Sequence, residues 1–173
     1  MTVRPAVPAD LVAILGLETA AFTSGWSEQS WADEVRDHFV LVAEDDRIVG
    51  VLAMSAVADT AEVRRIIVDE SVRCTGIGRA LLCHGLAWAE TVADEVFLEV
   101  STSNQAAISL YESEGFKLLD RRADYYGPGD DALIYHCQQR RWGDDPPNPP
   151  RSLRSHRRYD LGAKPQEETC QSR

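Results

Sequence analysis

The chain contains 173 residues, 44% of them hydrophobic, and carries a formal net charge of −10. This length supports one full hydrophobic core rather than two domains, and no run reaches the roughly 20 apolar residues that a membrane span requires. The charge is uneven, with 10 Lys and Arg against 23 Asp and Glu in residues 1–139, and 8 against 5 in residues 140–173. An acidic folded part disfavours nucleic acid as its direct ligand and favours basic partners, although solubility alone would also explain it.

The first half of the chain predicts a short strand, two helices and three strands. Apolar residues recur from Val7 to Phe22 close to helical spacing, and Ser27 is a suitable N-cap for the segment SEQSWADEVRD. The segments HFVLVAED, RIVGVLAMSAV and AEVRRIIVD are rich in β-branched residues and are separated by turn residues. This pattern predicts an antiparallel meander.

The periodicity changes after the meander. From Gly78 the apolar residues fall on one helical face, and the apolar run EVFLEVS follows, so a strand, a glycine loop, a helix and a strand form a βαβ unit. Another helix runs from Asn104 to a C′ glycine at Gly115, and FKLLDRRADYY and DALIYHCQ flank the turn GPGD as a hairpin. The predicted fold class is α/β (α+β), with a mixed central sheet.

The C-terminal segment combines prolines with polar and charged residues and has few apolar residues to bury. This composition predicts a disordered tail over residues 143–173, after one folded domain over residues 1–142. The basic cluster RSLRSHRR in the tail is compatible with contact to RNA or to an acidic partner. A dispensable solvated extension is the simpler interpretation.

Signals for export and for metal binding are missing from the sequence. The N-terminal segment MTVRPAVPAD lacks the basic and then apolar order of a signal peptide, so we expect a cytoplasmic protein without membrane association. The four cysteines form no CxxC pair and the four histidines are scattered. We therefore expect no metal site and reduced cysteines.

The stretch RCTGIGRALL carries two glycines between a predicted strand and a predicted helix. Gly76 and Gly78 leave the backbone unobstructed, so free N–H groups and the positive end of the helix dipole converge there. This arrangement suits a pyrophosphate, with Arg73 and Arg79 adding charge, although a plain strand-to-helix turn is an equal interpretation of the motif by itself. Leu81 stands where a dinucleotide fingerprint needs its third glycine, and no Walker A sequence is present.

The pattern Arg73-x-x-Gly76-x-Gly78 after the strand RRIIVD resembles the coenzyme A loop of the GNAT superfamily of N-acetyltransferases. Further blocks are similar to its RimI-like ribosomal-protein-alanine N-acetyltransferases: WSE at 26–28, IGRALL at 77–82, LEV at 98–100, SNQAAISLYESEGF at 103–116, RRADYY at 121–126 and DDALI at 130–134. The blocks span essentially all of residues 1–138. The resemblance implies the GNAT fold, acetyl-CoA as acetyl donor, and an acceptor that is a protein α-amine, such as the N-terminal alanine of a small-subunit ribosomal protein.

The resemblance also implies a role for particular residues. The cofactor-binding residues would be Ile66, Ile67, Val68, Arg73, Cys74, Thr75, Gly76, Ile77, Gly78, Arg79 and Asn104. The acceptor groove would be shaped by Trp26, Tyr125 and Tyr126, which would otherwise be assigned to the core. Asn104 is also a suitable helix N-cap on its own, and both roles are compatible.

Amide formation from a thioester needs a base for the amine, a polarised carbonyl and an acid for the sulfur leaving group. The resemblance implies that Glu99 is the base and that Tyr111, twelve residues later, is the acid. We expect the carbonyl to be polarised by a main-chain N–H near Ile67 or Val68, where the strand separates from its neighbour. A thiol at a helix N-terminus is activated, so Cys74 as an acyl carrier is an alternative to direct transfer.

Three other functions remain open at this level. A lysine or small-amine acetyltransferase shares the fold and differs only in the acceptor nitrogen. A coenzyme A-binding regulatory module would bind the cofactor without turnover. An RNA-associated protein working through the basic tail would show salt-sensitive RNA binding that is lost when residues 143–173 are deleted.

Overall fold

Within residues 1–139, the part of the chain that this computed structural model describes, seven strands and four α-helices follow one another in the predicted order. The strands are β1 Thr2–Pro5, β2 Phe39–Glu44, β3 Ile48–Val57, β4 Thr60–Val68, β5 Glu95–Ser101, β6 Lys117–Gly127 and β7 Asp130–Gln138. The helices are α1 Leu11–Ala21, α2 Glu28–Asp37, α3 Ile77–Val92 and α4 Gln105–Ser113. The predicted domain boundary at 142 and the predicted tail over 143–173 lie outside the described residues.

All seven strands form one sheet in the order β1-β2-β3-β4-β5-β7-β6. The meander β2-β3-β4 and the hairpin β6-β7 are antiparallel, and β4 and β5 are parallel because α3 connects them as a crossover. Helices α1 and α2 bury Ile14, Leu17 and Trp31 against one face of the sheet. Helices α3 and α4 pack on the other face, so the mixed sheet is covered on both sides and the predicted fold class is confirmed.

The parallel pair β4-β5 is short. It begins at Thr60 opposite Glu95 and ends at Val63 opposite Leu98, although both strands continue beyond this point. After Val63, β4 contains a β-bulge at Arg64, and β5 continues with β7 as its only neighbour in the described sheet. The two strands therefore separate and leave a gap in the middle of the sheet.

Close packing of α3 on the sheet depends on a glycine. A Cβ atom at Gly85 would lie 2.5 Å from Cδ2 of Leu52 and 2.6 Å from Sδ of Met54, both on β3. Only a residue without a side chain lets the helix approach this closely. The predicted apolar face of α3 is confirmed, with Leu81, Leu82 and Ala89 fully buried.

Most local signals in the sequence have the predicted structural role. The Ser27 hydroxyl accepts a hydrogen bond from the Ser30 N–H at 3.1 Å, and the Asn104 side chain accepts one from the Ala107 N–H at 3.1 Å. Gly115 has the positive φ of a C′ residue, 90°. The N-cap and C′ predictions for α2 and α4 are therefore confirmed.

Two helix boundaries differ from the predicted ones. α1 is shorter than its apolar pattern, because a 3-10 turn over Pro8–Asp10 precedes it and Phe22 is extended, with φ −133°. α3 begins at Ile77, one residue before the predicted start, because Gly76 takes the N-cap position with φ 92°. No helix in the described part of the chain is long and apolar enough to cross a membrane.

Candidate active site

A groove of about 610 Å³ lies between the open edge of β4, the loop before α3 and the first turns of α4. It collects eight of the eleven residues that the sequence assigned to the cofactor: Ile66, Val68, Arg73, Cys74, Gly76, Ile77, Gly78 and Arg79. The opposite wall is formed by four residues of α4 that sequence reasoning missed: Ala106, Ala107, Ser109 and Leu110. The sequence does contain a signal for this wall, namely the small residues that follow Asn104, because short side chains on a helix leave room for a ligand.

The floor of this groove is a row of free main-chain N–H groups. Six consecutive groups, from Cys74 to Arg79, make no hydrogen bond with any described residue, and the next one, of Ala80, donates to the Gly76 carbonyl at 2.9 Å. Cys74 and Gly76 have left-handed φ angles of 62° and 92°. A backbone in which left-handed residues alternate with ordinary ones, followed by a helix N-terminus, makes a concave site for an anion such as a pyrophosphate.

The two arginines at the loop are not equivalent. Arg79 Nε lies 3.2 Å from a carboxylate oxygen of Glu114, and its Nη2 donates to Ser113 at 3.0 Å, so the charge of Arg79 is already balanced at the C-terminal end of α4. Arg73 Nε donates to the Val68 carbonyl at 3.3 Å, and Arg73 is exposed. Within the described loop, Arg73 is therefore the cation that remains available to a phosphate.

Three of the predicted cofactor residues do not line the groove. The side chain of Ile67 is 4% exposed and packs beneath α1 and α2, on the opposite face of the sheet. The Thr75 hydroxyl donates to the Val72 carbonyl at 2.7 Å, and Asn104 caps α4. Thr75 still contributes a free N–H to the row described above.

The register of β4 identifies which N–H groups face the gap. The Asp69 N–H donates to the Val49 carbonyl at 2.9 Å, on the side of β3. Because N–H groups alternate along a strand, the Ile67 N–H also points toward β3, and those of Ile66 and Val68 point toward the gap. Of the two donors named from the sequence, only Val68 is therefore directed at a ligand in the gap.

Glu99 is the first residue of β5 beyond the last pair with β4. The alternating burial of β5 places Val96, Leu98 and Val100 toward α3 and α4, so Glu99 faces the side of α1 and α2. Its carboxylate is 30% exposed and accepts a 2.6 Å hydrogen bond from Nη1 of Arg122 on β6. No local sequence pattern indicates this partner, because the contact depends on the order of the strands in the sheet.

Tyr111 reaches the same region from the opposite face of the sheet. Its side chain is 4% exposed and its ring lies 5.8 Å from that of Phe116, centroid to centroid. Burial raises the pKa of Tyr111 above its ordinary value, and nearby Tyr126 adds to this effect. No hydrogen bond joins the Tyr111 hydroxyl to another described residue, so a neutral phenol is available there as a proton donor.

Of the three predicted acceptor residues, Trp26 packs with α1 and α2 on the Glu99 side of the sheet, and Tyr125 and Tyr126 lie on β6. Trp26, in the connection between α1 and α2, stacks under the guanidinium of Arg65, which lies 4.5 Å from the ring centroid. Tyr125 and Tyr126 pack edge to face, with centroids 5.1 Å apart. The pKa of Tyr126 is raised by burial and then by Glu99, and Arg65 opposes this shift, so Tyr126 lies within electrostatic reach of both charges.

The arrangement as a whole defines a class of enzyme. An anion-binding loop and an open strand edge form a groove for an extended phosphorylated ligand. A carboxylate, that of Glu99, lies on β5 where this strand separates from β4, and the buried phenol of Tyr111 lies on the opposite face of the sheet. This is the architecture of a coenzyme A-dependent N-acyltransferase. Among the described residues, no group of three or more His, Cys, Asp or Glu side chains is placed to hold a metal ion.

Comparison with known proteins gives the family. The family model of the acetyltransferase (GNAT) family matches residues 11–116. The [ribosomal protein bS18]-alanine N-acetyltransferase of Escherichia coli strain K12 is 35% identical over 132 residues, which are 72% of this chain and 88% of that enzyme. The chain therefore belongs to the GNAT family and is an acetyl-CoA-dependent acyltransferase.

Solved structures share the fold. The crystal structure of the ribosomal-protein-S18-alanine N-acetyltransferase from Escherichia coli has a TM-score of 0.75 at 30% identity and covers 84% of this chain and 97% of its own. The structure of NAA60 from Arabidopsis thaliana in complex with acetyl-CoA has a TM-score of 0.72 at 19% identity, with 79% and 97% covered. The predicted GNAT fold and the predicted RimI-like resemblance are both confirmed.

Proposed function

We propose that this enzyme transfers the acetyl group of acetyl-CoA to the α-amino group at the N-terminus of a protein, and that the acceptor is the N-terminal alanine of a small-subunit ribosomal protein. The observation that carries the proposal is the likeness, over almost the whole folded chain, to enzymes named for that alanine. A ribosomal acceptor places the reaction in the cytoplasm. The charge of −13 on residues 1–139 favours a basic protein over a nucleic acid as the acceptor.

In this proposal the groove holds acetyl-CoA. The free N–H groups from Cys74 to Arg79, together with Arg73, bind the pyrophosphate, since the helix N-terminus adds a favourable dipole. The open edge of β4 offers the main-chain groups of Ile66 and the carbonyl of Val68 to the amides of the pantetheine arm. The small residues of α4 leave space for that arm.

Glu99 acts as the base in the proposed mechanism. It lies on the acceptor side of the gap and takes the amine proton directly or through a water molecule. An α-amine has a pKa of about 8, against about 10.4 for lysine. Removing the proton from an N-terminal amine at neutral pH therefore costs less free energy than removing it from lysine. The hydrogen bond from Arg122 orients the Glu99 carboxylate before the acceptor binds.

Tyr111 acts as the acid, and the Val68 N–H polarises the thioester carbonyl. The raised pKa of Tyr111 keeps its proton in place until a thiolate forms close to it. The Val68 N–H faces the gap and is free to stabilise the negative charge that develops on the carbonyl oxygen. Base and acid stand on opposite faces of the sheet, as required when the amine enters on one side and the thiol leaves on the other.

The direct test uses two peptides. The first begins Ala-Arg with a free α-amine and no lysine, and the second has the same sequence with a blocked N-terminus and one free lysine. We expect the full chain to release coenzyme A and acetylate the first peptide only. Acetylation of the second peptide alone would make the protein a lysine acetyltransferase, and tight acetyl-CoA binding without turnover on any amine would make it a binding module.

A further inference from the structure

We propose that Arg64 and Arg65 are positioning residues that fix Trp26 in the acceptor groove and thereby set the affinity for the acceptor. The inference rests on the proposed function, in which the surface around Trp26 is the acceptor groove. The contacts of Arg64 and Arg65 with Trp26, called the clamp below, are a property of the structure that does not depend on the function. Neither arginine was singled out by the sequence analysis.

The clamp depends on the β-bulge in β4. Ala53 of β3 pairs with Arg65 and the next residue, Met54, pairs with Val63, so Arg64 is the additional residue of the bulge. Consecutive side chains normally point to opposite faces of a sheet. At a bulge this alternation is broken, so Arg64 and Arg65 both reach Trp26 on the side of α1 and α2.

Arg65 makes the closer contact. Its guanidinium lies over two rings, 4.3 Å from the centroid of Phe22 and 4.5 Å from that of Trp26. The side chain is only 18% exposed, and its Nη2 lies 3.5 Å from the carboxylate of Glu18, which is itself 2% exposed. A planar, weakly hydrated guanidinium is suited to stacking on both faces, whereas a lysine ammonium is not.

Arg64 supports Trp26 from a second direction. Its guanidinium lies 5.5 Å from the Trp26 centroid and forms a 2.8 Å ion pair with Glu34 of α2. The side chain of Arg64 is 34% exposed, so this contact is weaker than that of Arg65. Each arginine therefore links Trp26 to a carboxylate on one of the two helices that border the acceptor side.

Glu18 also holds the main chain around Trp26. Its carboxylate accepts the Trp26 N–H at 2.8 Å and the Trp31 indole N–H at 3.3 Å. A Cβ atom at Gly25 would lie 2.6 Å from Glu18 Oε1, so the connection packs directly against this carboxylate. The backbone of Trp26 is thus tied to Glu18, and its ring is held by the arginines that pair with Glu18 and Glu34.

Kinetics of the full-length chain test the clamp. We expect Arg65→Lys to raise KM for the Ala-Arg peptide about tenfold and to leave KM for acetyl-CoA within about twofold, because one cation–π contact is worth roughly a factor of ten. Arg64→Lys, at a more exposed site, should show a smaller change in the same direction. The matched control is Arg36→Lys on α2, whose side chain is 63% exposed and, among residues 1–139, pairs only with Asp33 and Asp37.

Two further measurements separate positioning from a general structural role. In a Trp26→Leu background, Arg65→Lys should have little additional effect on peptide KM, because a residue that acts through Trp26 has nothing left to position. Fully additive effects, or equal rises in both KM values, would overturn the proposal.

The second measurement does not depend on the acceptor. With all tryptophans replaced by 5-fluorotryptophan, Arg65→Lys should shift or broaden the fluorine resonance of Trp26, assigned from Trp26→Phe, and leave that of Trp88 unchanged. An unchanged Trp26 resonance would overturn the clamp even if peptide acetylation is observed. A changed resonance in a protein that acetylates no N-terminus would uphold the clamp and reject the proposed function.

Discussion

At the scale of single residues, the proposed mechanism depends on Glu99 and on the proton that it would accept. Glu99→Gln retains the shape of the side chain and removes its basicity, so we expect kcat to fall about 100-fold or more, with KM for acetyl-CoA unchanged. The matched control is Glu95→Gln, on the same strand and face but at the end where β4 and β5 are still paired. Equal losses in the two variants would show that Glu99 is structural.

Tyr111 carries a second prediction. Tyr111→Phe should lower kcat at least about tenfold. Because burial places the pKa of Tyr111 above its ordinary value of about 10, wild-type kcat should not fall through loss of this proton as the pH rises to about 10.

Tyr135→Phe is the control for Tyr111→Phe, since Tyr135 is also buried and its hydroxyl donates a hydrogen bond to Glu112 at 2.8 Å. Removing that hydrogen bond should lower the melting temperature and leave kcat near the wild-type value. A loss of kcat in Tyr135→Phe as large as in Tyr111→Phe would argue against the acid assignment.

At the scale of elements, the proposed binding of acetyl-CoA depends on the loop before α3. Gly76 has φ 92° with open space around its Cβ position, so Gly76→Ala adds only backbone strain of about 1–2 kcal/mol. Relief of this strain would turn the free N–H groups away from the pyrophosphate. We expect KM for acetyl-CoA to rise about tenfold, with peptide KM little changed.

The matched variant for this loop is Gly129→Ala in the turn of the β6-β7 hairpin. Gly129 has φ 80° and equally open space, so the backbone cost is similar but the groove is not touched. If both variants weaken acetyl-CoA binding alike, loss of stability rather than loop geometry is the cause.

How far the sequence predicts each element depends on whether its signal is local. The N-cap at Ser27, the C′ glycine at Gly115 and the glycine loop are encoded within a few residues, and the structure has them where they were expected. The direction of the Val68 N–H and the bulge at Arg64 depend on the register with β3, which no short segment encodes. The same reason explains why the Arg122 partner of Glu99 was missed: it lies two strands away in the sheet.

At the scale of the whole molecule, the acidic charge should attract a basic N-terminus. We expect KM for the Ala-Arg peptide to rise several-fold between about 0.05 M and 0.5 M salt, because the Debye length shrinks and the field of the acidic surface is screened. A peptide in which glutamine replaces the arginine is the control, and its KM should depend less on salt. A salt response that is identical for both peptides would mean that net charge does not recruit the acceptor.

In the proposed reaction, one gap in the sheet brings acetyl-CoA together with a protein α-amine. The most direct measurement is the affinity of two bisubstrate compounds, in which coenzyme A is joined through an acetyl bridge either to the α-amine of an Ala-Arg peptide or to the ε-amine of a lysine in the blocked peptide. We predict that the α-linked compound binds at least about 100-fold more tightly, because it resembles the transition state. Equal affinities, or tighter binding of the ε-linked compound, would contradict the assignment of an N-terminal acceptor.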